Sequence, residues 1–575
     1  MLRPSNGGDR FMPLLLWAVL SVRAFQCQPR HSGRLRPWPS YSKPIYGDGD
    51  CVDIIIRSIA AESLLPVFYE DVNVGTTLEA EKALKRCLRS YQRAIRKMTA
   101  NKSGSCADRV ASTDAVDLYD RLPSSSRSER EATRKRLSDL ILGTSIMRLL
   151  HWHELFHGPR ASDFSTVDLI VGIEPWMVRP SAEKVKPAES RFDVDNTRIS
   201  LISSLVDLHS KRLDTTEESA TLQDIPWPSD PIQRISISQS MPSFIIKLWV
   251  DQYGVQVTKI LAERANKPGP VTLRRSALRC DSDEELIQRL RAEANVDAYT
   301  ISILGEGSGI ALKAPRGSIM LDYDGKSVSA SRPRQSLWSL PSWQEGCFEV
   351  QDIGSQIIVD SVEVERGDNV IVDFCAGNGG KTLAIASRMW EYTPSAGGKI
   401  IAHDIVESRL KQLLGSLERA GLTAERFDDM LFRKDGERLQ VHVTSDATTL
   451  KSHRADIVLV DAPCSSLGVL RRRPGHRWTI TEEKVLHELP ELQHKILISA
   501  SRLVKAGGKL VYATCSICHA ENEGVADKFE KSDVEQNWER WPFPNSESHH
   551  LSIMPHVHGC DGFFISRWKR RSKGQ

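Results

Sequence analysis

The stretch that decides the fold is Asp373-Phe-Cys-Ala-Gly-Asn-Gly-Gly-Lys-Thr382, which overlaps the apolar run 369–374. A strand that passes through a glycine-rich turn into a helix brings backbone N–H groups close to a ligand. The spacing excludes two nucleotide-binding loops. A Walker A loop needs glycine where Cys375 stands, and a dinucleotide fingerprint counted from Gly377 needs glycine or alanine where Thr382 stands. By itself, the segment could also be only a tight structural turn.

From residue 351 onward, short apolar segments alternate with helical ones. The apolar segments, which we predict to be strands, are 369–374, 399–403, 440–443, 456–460 and 509–513. The helical segments are 381–389, 406–420 and a long stretch that ends at 505. This alternation predicts an α/β fold with a doubly wound, mostly parallel, Rossmann-like sheet. Ligands bind such sheets where the strands end, so the residues after each strand are the candidate site.

Acidic residues and cysteines follow these strands. Asp404 ends the second strand, where a carboxylate can accept hydrogen bonds from both ribose hydroxyls of a nucleoside cofactor. Asp446 follows the third strand and could reach an adenine amino group. The next strand ends in Asp461-Ala-Pro-Cys464, and the last leads into Cys515. Each acid alone could be a helix N-cap, but their combination with two strand-end cysteines favours a catalytic site.

Two cysteines at neighbouring strand ends suit one particular reaction. Cytosine C5 is too weak a nucleophile to accept a methyl group directly, but a thiolate that adds to C6 makes the ring an enamine-like nucleophile at C5. A base must then remove the C5 proton, and the thiolate must leave. A thiol with a pKa of about 8.5 needs help to ionise at neutral pH, and helix N-termini and Lys381 could lower that pKa.

Five motifs follow one another in a distinctive order. They are Asp373 to Thr382, Asp461-Ala-Pro-Cys464-Ser-Ser, Arg471-Arg-Arg-Pro-Gly-His-Arg-Trp478, Gly507-Gly-Lys-Leu-Val-Tyr-Ala-Thr-Cys515-Ser with Glu521-Asn-Glu523, and Asp561-Gly-Phe-Phe564. In this order they resemble the RsmB/Nop/Sun family of RNA 5-methylcytosine methyltransferases. The segment from Gly346 to Gln356 looks like the lead-in motif of that family. The resemblance extends over residues 50–570 and is strongest in the last 230.

The resemblance implies S-adenosylmethionine as the methyl donor. It implies a cofactor site made of Cys375, Ala376, Gly377, Asn378, Gly379, Gly380, Lys381, Asp404, Asp446 and Asp461. It also implies that Cys515 is the nucleophile and that Cys464 assists release of the methylated RNA, with Asp461 and Lys381 in the catalytic group. DNA cytosine methyltransferases use the Pro-Cys thiol as nucleophile, so the presence of both cysteines points to RNA.

Five residues at three places depart from the family pattern. Gly377-Asn378 replaces the commoner Ala-Pro, Ser466-Leu467 replaces Gly-Thr after the Pro-Cys, and Arg275 stands where asparagine is frequent. None of these changes removes a proposed catalytic group. The Ser466-Leu467 change bears most on the shape of the local loop and on the fit of the target base.

A basic loop follows the catalytic strand. Arg471, Arg472, Arg473 and Arg477 are predicted to bind RNA phosphates, with the aromatic ring of Trp478 packed nearby. The alternative interpretation is a solvated run of charge without a ligand.

The eleven cysteines are scattered along the chain, which indicates reduced thiols rather than a disulfide framework. A zinc site is an alternative, built from Cys515, Cys518, His519, His556, His558 and Cys560. A zinc-bound Cys515 could not act as nucleophile, and the spacing of the C-terminal ligands is poor. We therefore expect no metal.

The chain upstream of the methyltransferase segment divides into three parts. Residues 215–345 are predicted to be a small α/β subdomain, with a helix over 243–265, a strand over 271–275 and a helix over 283–294. Residues 48–214 are predicted to be helical, and their segment 136–143 distantly resembles the NusB-type RNA-binding domain. A targeting segment is assigned to residues 1–47, and the catalytic domain to residues 346–575.

The first 47 residues account for the basic charge of the chain. They hold seven lysines and arginines and one acid, a balance of +6, whereas the whole chain has a formal net charge of +3, so the remainder carries −3. Arg3 and Arg10 precede the apolar run 11–22, as in a signal peptide of residues 1–24, and the acid-free segment up to Asp48 is typical of a transit peptide. We expect delivery to an organelle, with a plastid favoured over a mitochondrion, and no membrane span in the mature chain.

Together these features predict an S-adenosylmethionine-dependent RNA cytosine-C5 methyltransferase that acts on ribosomal RNA as a monomer. Two alternatives stay open: an inert RNA-binding or ribosome assembly factor, and the same chemistry on transfer RNA. The presence of Cys464, Cys515, Asp461 and Lys381 argues against the inert factor. The target base must be unpaired or flipped out of its stack to reach Cys515.

Overall fold

The computed structural model describes residues 226–305, 311–321, 337–368, 370–392, 398–423, 430–433, 439–446, 450, 454–532 and 537–572, together with some of the residues between 60 and 210. The predicted targeting segment 1–47 lies outside the described residues. Most of the predicted NusB-like region also lies outside them, and the described part of it is helical, so that assignment stays a prediction. Among the described helices, none has the length and apolarity needed to cross a bilayer.

The first described part is a small α/β unit preceded by helices. Its elements are α1 (Arg148–His157), α2 (Pro231–Ser238), α3 (Ser243–Ala265), β1 (Thr272–Arg275), α4 (Asp283–Ala294), β2 (Ala298–Thr300), β3 (Ile303–Leu304), β4 (Leu312–Lys313), β5 (Ser318–Leu321), α5 (Pro341–Gln344) and β6 (Phe348–Val350). Strands pair antiparallel in the order β2-β5-β1-β6. The predicted helices 243–265 and 283–294 and the predicted strand are confirmed. Helix α3 bends at Gly254, whose φ is 78°.

The second part is the predicted doubly wound domain. Its elements are α6 (Ile353–Asp360), β7 (Val370–Asp373), α7 (Gly380–Tyr392), β8 (Gly398–His403), α8 (Glu407–Arg419), β9 (Leu422–Thr423), β10 (Met430–Arg433), β11 (Leu439–Thr444), β12 (Ala455–Asp461), α9 (Leu489–Ser501), β13 (Val504–Thr514), α10 (Glu523–Glu530), β14 (Trp538–Arg540), β15 (His550–Ile553), α11 (Pro555–His558) and β16 (Phe563–Arg570). The described sheet runs β14-β16-β13-β12-β7-β8-β11-β10-β9, and β15 also pairs with β16. Its central strands β13, β12, β7, β8 and β11 are parallel.

The sheet differs from the prediction at its edges. Strands β9 and β10 on one side and β14, β15 and β16 on the other pair antiparallel and were not predicted. The stretch before residue 505, predicted to be one long helix, is also broken. It contains 3₁₀ turns at Leu467–Val469 and Pro474–Trp478 and a π turn at Lys484–Glu488 before α9 begins. Gly468, Pro474 and Gly475 interrupt helical periodicity there.

Arg477 joins the small α/β unit to the catalytic domain. Its side chain is fully buried and donates hydrogen bonds to the carbonyl oxygens of Pro474, Gln239, Ser240 and Ala265 and to Oδ1 of Asn266, at 2.6–3.3 Å. Burial lowers the pKa of the guanidinium to about 9. The prediction that Arg477 binds RNA phosphate is therefore wrong in this structure, because carbonyl groups from both parts of the chain already occupy its donors.

Replacing Arg477 with alanine should lower the free energy of unfolding by about 2–4 kcal/mol, because several buried carbonyl oxygens lose their donor. Arg473→Ala is the matched control, since Arg473 is exposed in the same loop and should change stability by less than about 0.5 kcal/mol. Guanidinium unfolding followed by tryptophan fluorescence measures both. An Arg477→Ala protein that unfolds like the parent but binds RNA more weakly would restore the phosphate-binding role.

Candidate active site

The glycine-rich turn after β7 is held by backbone hydrogen bonds within the turn and to β8. The N–H of Ala376 donates to the carbonyl of His403, and the N–H of Gly379 donates to the carbonyl of Ala376. Gly379 has a φ of 84°, and a Cβ there would lie 2.0 Å from Cδ1 of Leu413. This position therefore requires glycine, both for its conformation and for the close approach of α8.

Asp373 ends β7 beneath this turn. Its Oδ2 accepts a hydrogen bond from Oγ1 of Thr382 at 2.7 Å, and burial raises the pKa of the carboxyl to about 7. Its Oδ1 is buried and has no hydrogen-bond partner among the residues that the structure describes. A buried acceptor without a donor is costly unless a ligand supplies one, so the turn has a polar atom ready for a donor group of a cofactor.

Asp404 follows β8 and fixes the turn from the other side. Its Oδ2 accepts from the N–H of Gly377 at 2.9 Å, and its Oδ1 accepts from the N–H of Val406 at 2.8 Å. The buried carboxylate is thus oriented by two backbone donors and retains lone pairs for ribose hydroxyls. The next residue, Ile405, is 61% exposed. It was not predicted to belong to the site, although an apolar residue directly after a strand-end acid is the signal for a surface that can contact a nucleobase.

The other predicted cofactor residues lie around the same strand ends. Cys375 is partly buried, and burial raises the pKa of its thiol. Asn378 and Gly380 are exposed at the rim of the turn. Asp446 is exposed just after β11, where its N–H donates to Oγ1 of Thr444 at 3.1 Å. The residue types therefore suit a nucleoside cofactor, with one acid after β8 and one after β11.

Lys381 and Asp461 form an ion pair between α7 and the end of β12. Lys381 Nζ lies 2.6 Å from Oδ2 of Asp461. Burial alone would lower the pKa of Lys381, but the neighbouring Asp461 carboxylate raises it above its ordinary value. Lys381 therefore stays protonated at neutral pH, and it holds Asp461 at the junction between the glycine-rich turn and the two cysteines.

Cys464 and Cys515 lie side by side at the ends of β12 and β13. Their sulfur atoms are 3.1 Å apart, and the backbone N–H of Cys515 donates to Sγ of Cys464 at 3.3 Å. The hydrogen bond from the Cys464 thiol lowers the pKa of Cys515, and the same contact raises the pKa of Cys464. The contact therefore favours ionisation of Cys515 over that of Cys464.

A buried carboxylate, Glu521, braces both cysteine loops and was not predicted as a site residue. It accepts hydrogen bonds from the backbone N–H and the hydroxyl of Ser465, next to Cys464, at 2.7 and 2.5 Å. It also accepts from the hydroxyl of Ser516, next to Cys515, at 2.5 Å. The neighbouring Asn522 accepts from Thr514 and donates to the carbonyl of Ser516. In the sequence, the signal for this role is the Glu521-Asn522 pair that follows Cys515 in the fourth of the five motifs.

The small α/β unit also contacts the nucleophile loop. Tyr253 on α3 donates its phenolic O–H to the carbonyl of Ile517 at 2.5 Å. Gln252 lies 3.9 Å from the sulfur of Cys518. Neither residue was predicted, because nothing local in the sequence links α3 to a loop more than 260 positions away. The cysteine loop is therefore supported from both parts of the chain.

Two further arginines of the basic loop are engaged inside the protein. Arg471 and Arg472 each pair with the buried carboxylates of Asp352 and Asp561, and Arg471 also donates to the carbonyl of Gly559. The prediction that Arg471 binds RNA is therefore wrong for this structure, since its side chain is buried in this network. Arg472 is 33% exposed but is held by the same two carboxylates, so its predicted role in RNA binding is not supported either. Arg473 is exposed and is the member of the loop available to a phosphate.

Within the described part of the chain, one group of side chains could hold a metal ion: Glu530, His549 and His550. The carboxylate of Glu530 already accepts hydrogen bonds from His549 at 2.7 Å, from Arg540 at 2.6 Å and from the Trp568 indole at 3.0 Å. The residues of the alternative zinc site around Cys515 do not form such a group among the described residues.

Comparison with known proteins agrees with this geometry. Residues 361–569 match the family model for the 16S rRNA methyltransferase RsmB/F. The probable ribosomal RNA small subunit methyltransferase B of Bacillus subtilis is 29% identical over 350 residues, covering 60% of this chain and 69% of that protein. The corresponding protein of Synechocystis is 30% identical over 349 residues, covering 59% and 69%.

The fold is also found in a solved structure. The crystal structure of PH0851 superposes with a TM-score of 0.51 at 20% identity and covers 78% of this chain and 95% of that one. The sequence relatives, the family model and the strand-end site agree with the predicted family and with the predicted methyl donor. The chain belongs to the RsmB/F family of RNA methyltransferases, which use S-adenosylmethionine.

Proposed function

We propose that this protein methylates C5 of a cytosine in small-subunit ribosomal RNA through a covalent bond between Cys515 and C6 of the base. The observation that carries the proposal is the pair of thiols, 3.1 Å apart at the ends of two parallel strands, beside the Lys381–Asp461 ion pair. A single thiol at the end of a strand could be explained by packing alone. Two thiols in contact, one with a lowered and one with a raised pKa, suit covalent addition followed by elimination.

The first half of the reaction uses the thiolate of Cys515. It adds to C6, and the electron pair of the C5–C6 double bond becomes available at C5. When bound, S-adenosylmethionine would supply the electrophilic methyl group that C5 attacks, and the electron pair of the broken methyl–sulfur bond would leave with S-adenosylhomocysteine. The protein residues that would hold it are the turn 375–381 and Asp404, with Asp373 Oδ1 as a free acceptor and Ile405 as apolar surface for the adenine.

The second half regenerates the enzyme. A base removes the C5 proton, the C5–C6 double bond re-forms, and the Cys515–C6 bond breaks to release a thiolate. Cys464 lies in contact with the leaving sulfur and, as a thiol, donates a hydrogen bond to it. This contact supports a role for Cys464 in product release, while Glu521 keeps both loops in register.

The substrate is proposed to be ribosomal RNA because of the family and its named relatives. A flipped base would enter beside Cys515, and the exposed Arg473 would contact the RNA backbone. Transfer RNA with the same chemistry is the second candidate. From the composition of residues 1–47 we also propose an organellar site of action, with a plastid favoured.

Cys464→Ala should accumulate a covalent protein–RNA complex, because addition by Cys515 remains possible while release is slowed. Cys515→Ala should form no complex, and neither should the double variant. Incubation with S-adenosylmethionine and unmodified small-subunit ribosomal RNA, followed by denaturing electrophoresis with and without ribonuclease, measures this. A complex that forms with Cys515→Ala but not with Cys464→Ala would exchange the two roles.

Asp404→Asn should weaken binding of S-adenosylmethionine by about tenfold or more, because the amide replaces one acceptor by a donor facing the N–H of Gly377. Asp446→Asn should have a smaller effect, since Asp446 is exposed. Isothermal titration calorimetry of both variants provides the comparison, with exposed Asp281→Asn as a control far from the turn. Equal affinity for the parent and Asp404→Asn would exclude Asp404 from the cofactor site.

Loss of this protein in its source cells should remove 5-methylcytosine from defined positions of small-subunit ribosomal RNA. Bisulfite sequencing of total and organellar RNA detects the change, and re-expression of the parent chain, but not of Cys515→Ala, should restore it. If all cytosine methylation persists, the chain is the inert assembly factor. If the lost positions lie in transfer RNA, the chemistry stands and the substrate changes.

A further inference from the structure

Ser466 occupies an unusual position next to the nucleophile. Its φ is 57°, in the left-handed region that residues with a Cβ rarely adopt, and the family commonly has glycine there. Its Oγ lies 3.3 Å from Sγ of Cys515, where it accepts a hydrogen bond from the thiol. Once Cys515 ionises, the same hydroxyl can turn to donate to the thiolate. The chain therefore keeps a hydroxyl where the backbone favours glycine, and that hydroxyl contacts the reacting atom.

The loop holds Ser466 in place from both sides. Ser465 before it is bound twice by Glu521. After it, the N–H of Gly468 donates to the carbonyl of Cys515 at 3.0 Å, and the N–H of Val469 donates to the carbonyl of Ser466 itself. Gly468 is held in turn by Gly562, whose N–H donates to its carbonyl oxygen at 2.8 Å. A left-handed conformation that is fixed by its neighbours is typical of functional sites.

Burial and four neighbouring groups act on the ionisation of the Cys515 sulfur. Cys464 and Ser466 can each donate a hydrogen bond to the thiolate, and the positive charge of Lys381 favours it, whereas burial and the negative charge of Asp461 oppose it. Removal of the Ser466 hydroxyl would leave Cys464 as the hydrogen-bond donor among these four. During product release the Cys515 thiolate re-forms next to Cys464. The Ser466 hydroxyl is then a second hydrogen-bond donor that stabilises the leaving sulfur, independently of the protonation state of Cys464.

We propose that Ser466 is a further catalytic residue, whose hydroxyl donates a hydrogen bond to the Cys515 thiolate and stabilises it both before addition to the base and as it leaves. This inference rests on the proposed role of Cys515 as nucleophile. The contact between the hydroxyl and the sulfur exists in the free protein, so it can be tested without RNA.

The direct test is the apparent pKa of the Cys515 thiol, measured by the pH dependence of iodoacetamide alkylation at Cys515 itself and read by fragment mass spectrometry. Ser466→Ala and Ser466→Gly both remove the hydroxyl, but only the glycine variant also relieves the left-handed backbone. We expect both to raise the apparent pKa by about one unit. Ser499→Ala, which removes an exposed hydroxyl on α9, should leave it unchanged.

A rate measurement separates this role from a merely structural one. A variant with a higher thiol pKa has less thiolate at low pH and the same amount above both pKa values. Formation of the RNA complex in the Cys464→Ala background should therefore be several-fold slower with Ser466→Ala at low pH, and the two rates should converge at high pH. A uniform loss at all pH values would overturn the proposal in favour of a structural role.

The failure of this inference can be told apart from the failure of the proposed function. An unchanged apparent pKa in both Ser466 variants, or a shift in only one of them, overturns the role of the hydroxyl even if Cys515 forms the RNA complex. A shift in both variants establishes the hydrogen bond. If Cys515 then forms no RNA complex, the proposed function fails while the contact stands.

Discussion

The buried carboxylate of Glu521 is the constraint on which the catalytic centre depends. It accepts four hydrogen bonds, two from Ser465, one from Ser516 and one from Gln493, so the loops that carry Cys464 and Cys515 share one anchor. Burial raises the pKa of Glu521, and these donors oppose that effect. Two thiols can stay 3.1 Å apart only if their loops move together, and a common acceptor achieves this because both loops must satisfy the same buried group.

The small α/β unit and the catalytic domain are joined by contacts next to the active site. The small α/β unit supplies Tyr253 to the loop of Cys515, and Arg477 of the catalytic domain binds carbonyl groups of the helices α2 and α3. Further upstream, the guanidinium of Arg148 on α1 lies 4.4 Å from the ring centroid of Trp478. The small unit is thus part of the architecture of the active site, and packing upstream of the catalytic domain reaches the loop that follows Cys464.

The parallel centre of the sheet was predictable because each of its strands is a short apolar run followed by a helix. The antiparallel edge strands were not, since their pairing depends on contacts such as those between β13 and β16, which local periodicity does not encode. The basic loop shows the same limit. Four arginines indicated a phosphate site, but Asp352 and Asp561, which neutralise Arg471 and Arg472, are distant in the sequence.

The order of motifs in the sequence determined the resemblance to the family and the positions of the two cysteines, because both depend on residue type and spacing, and the resemblance in turn implied the methyl donor. Only the tertiary structure decided that the two sulfurs are in contact and that Glu521 and Tyr253 support their loops. It also decided that the buried Arg477 links the two parts of the chain and that the Ser466 hydroxyl contacts Cys515. Each of these is a contact between segments that fold together from distant positions or through an uncommon backbone angle. Such contacts follow from packing and burial, which a linear pattern of residues does not specify.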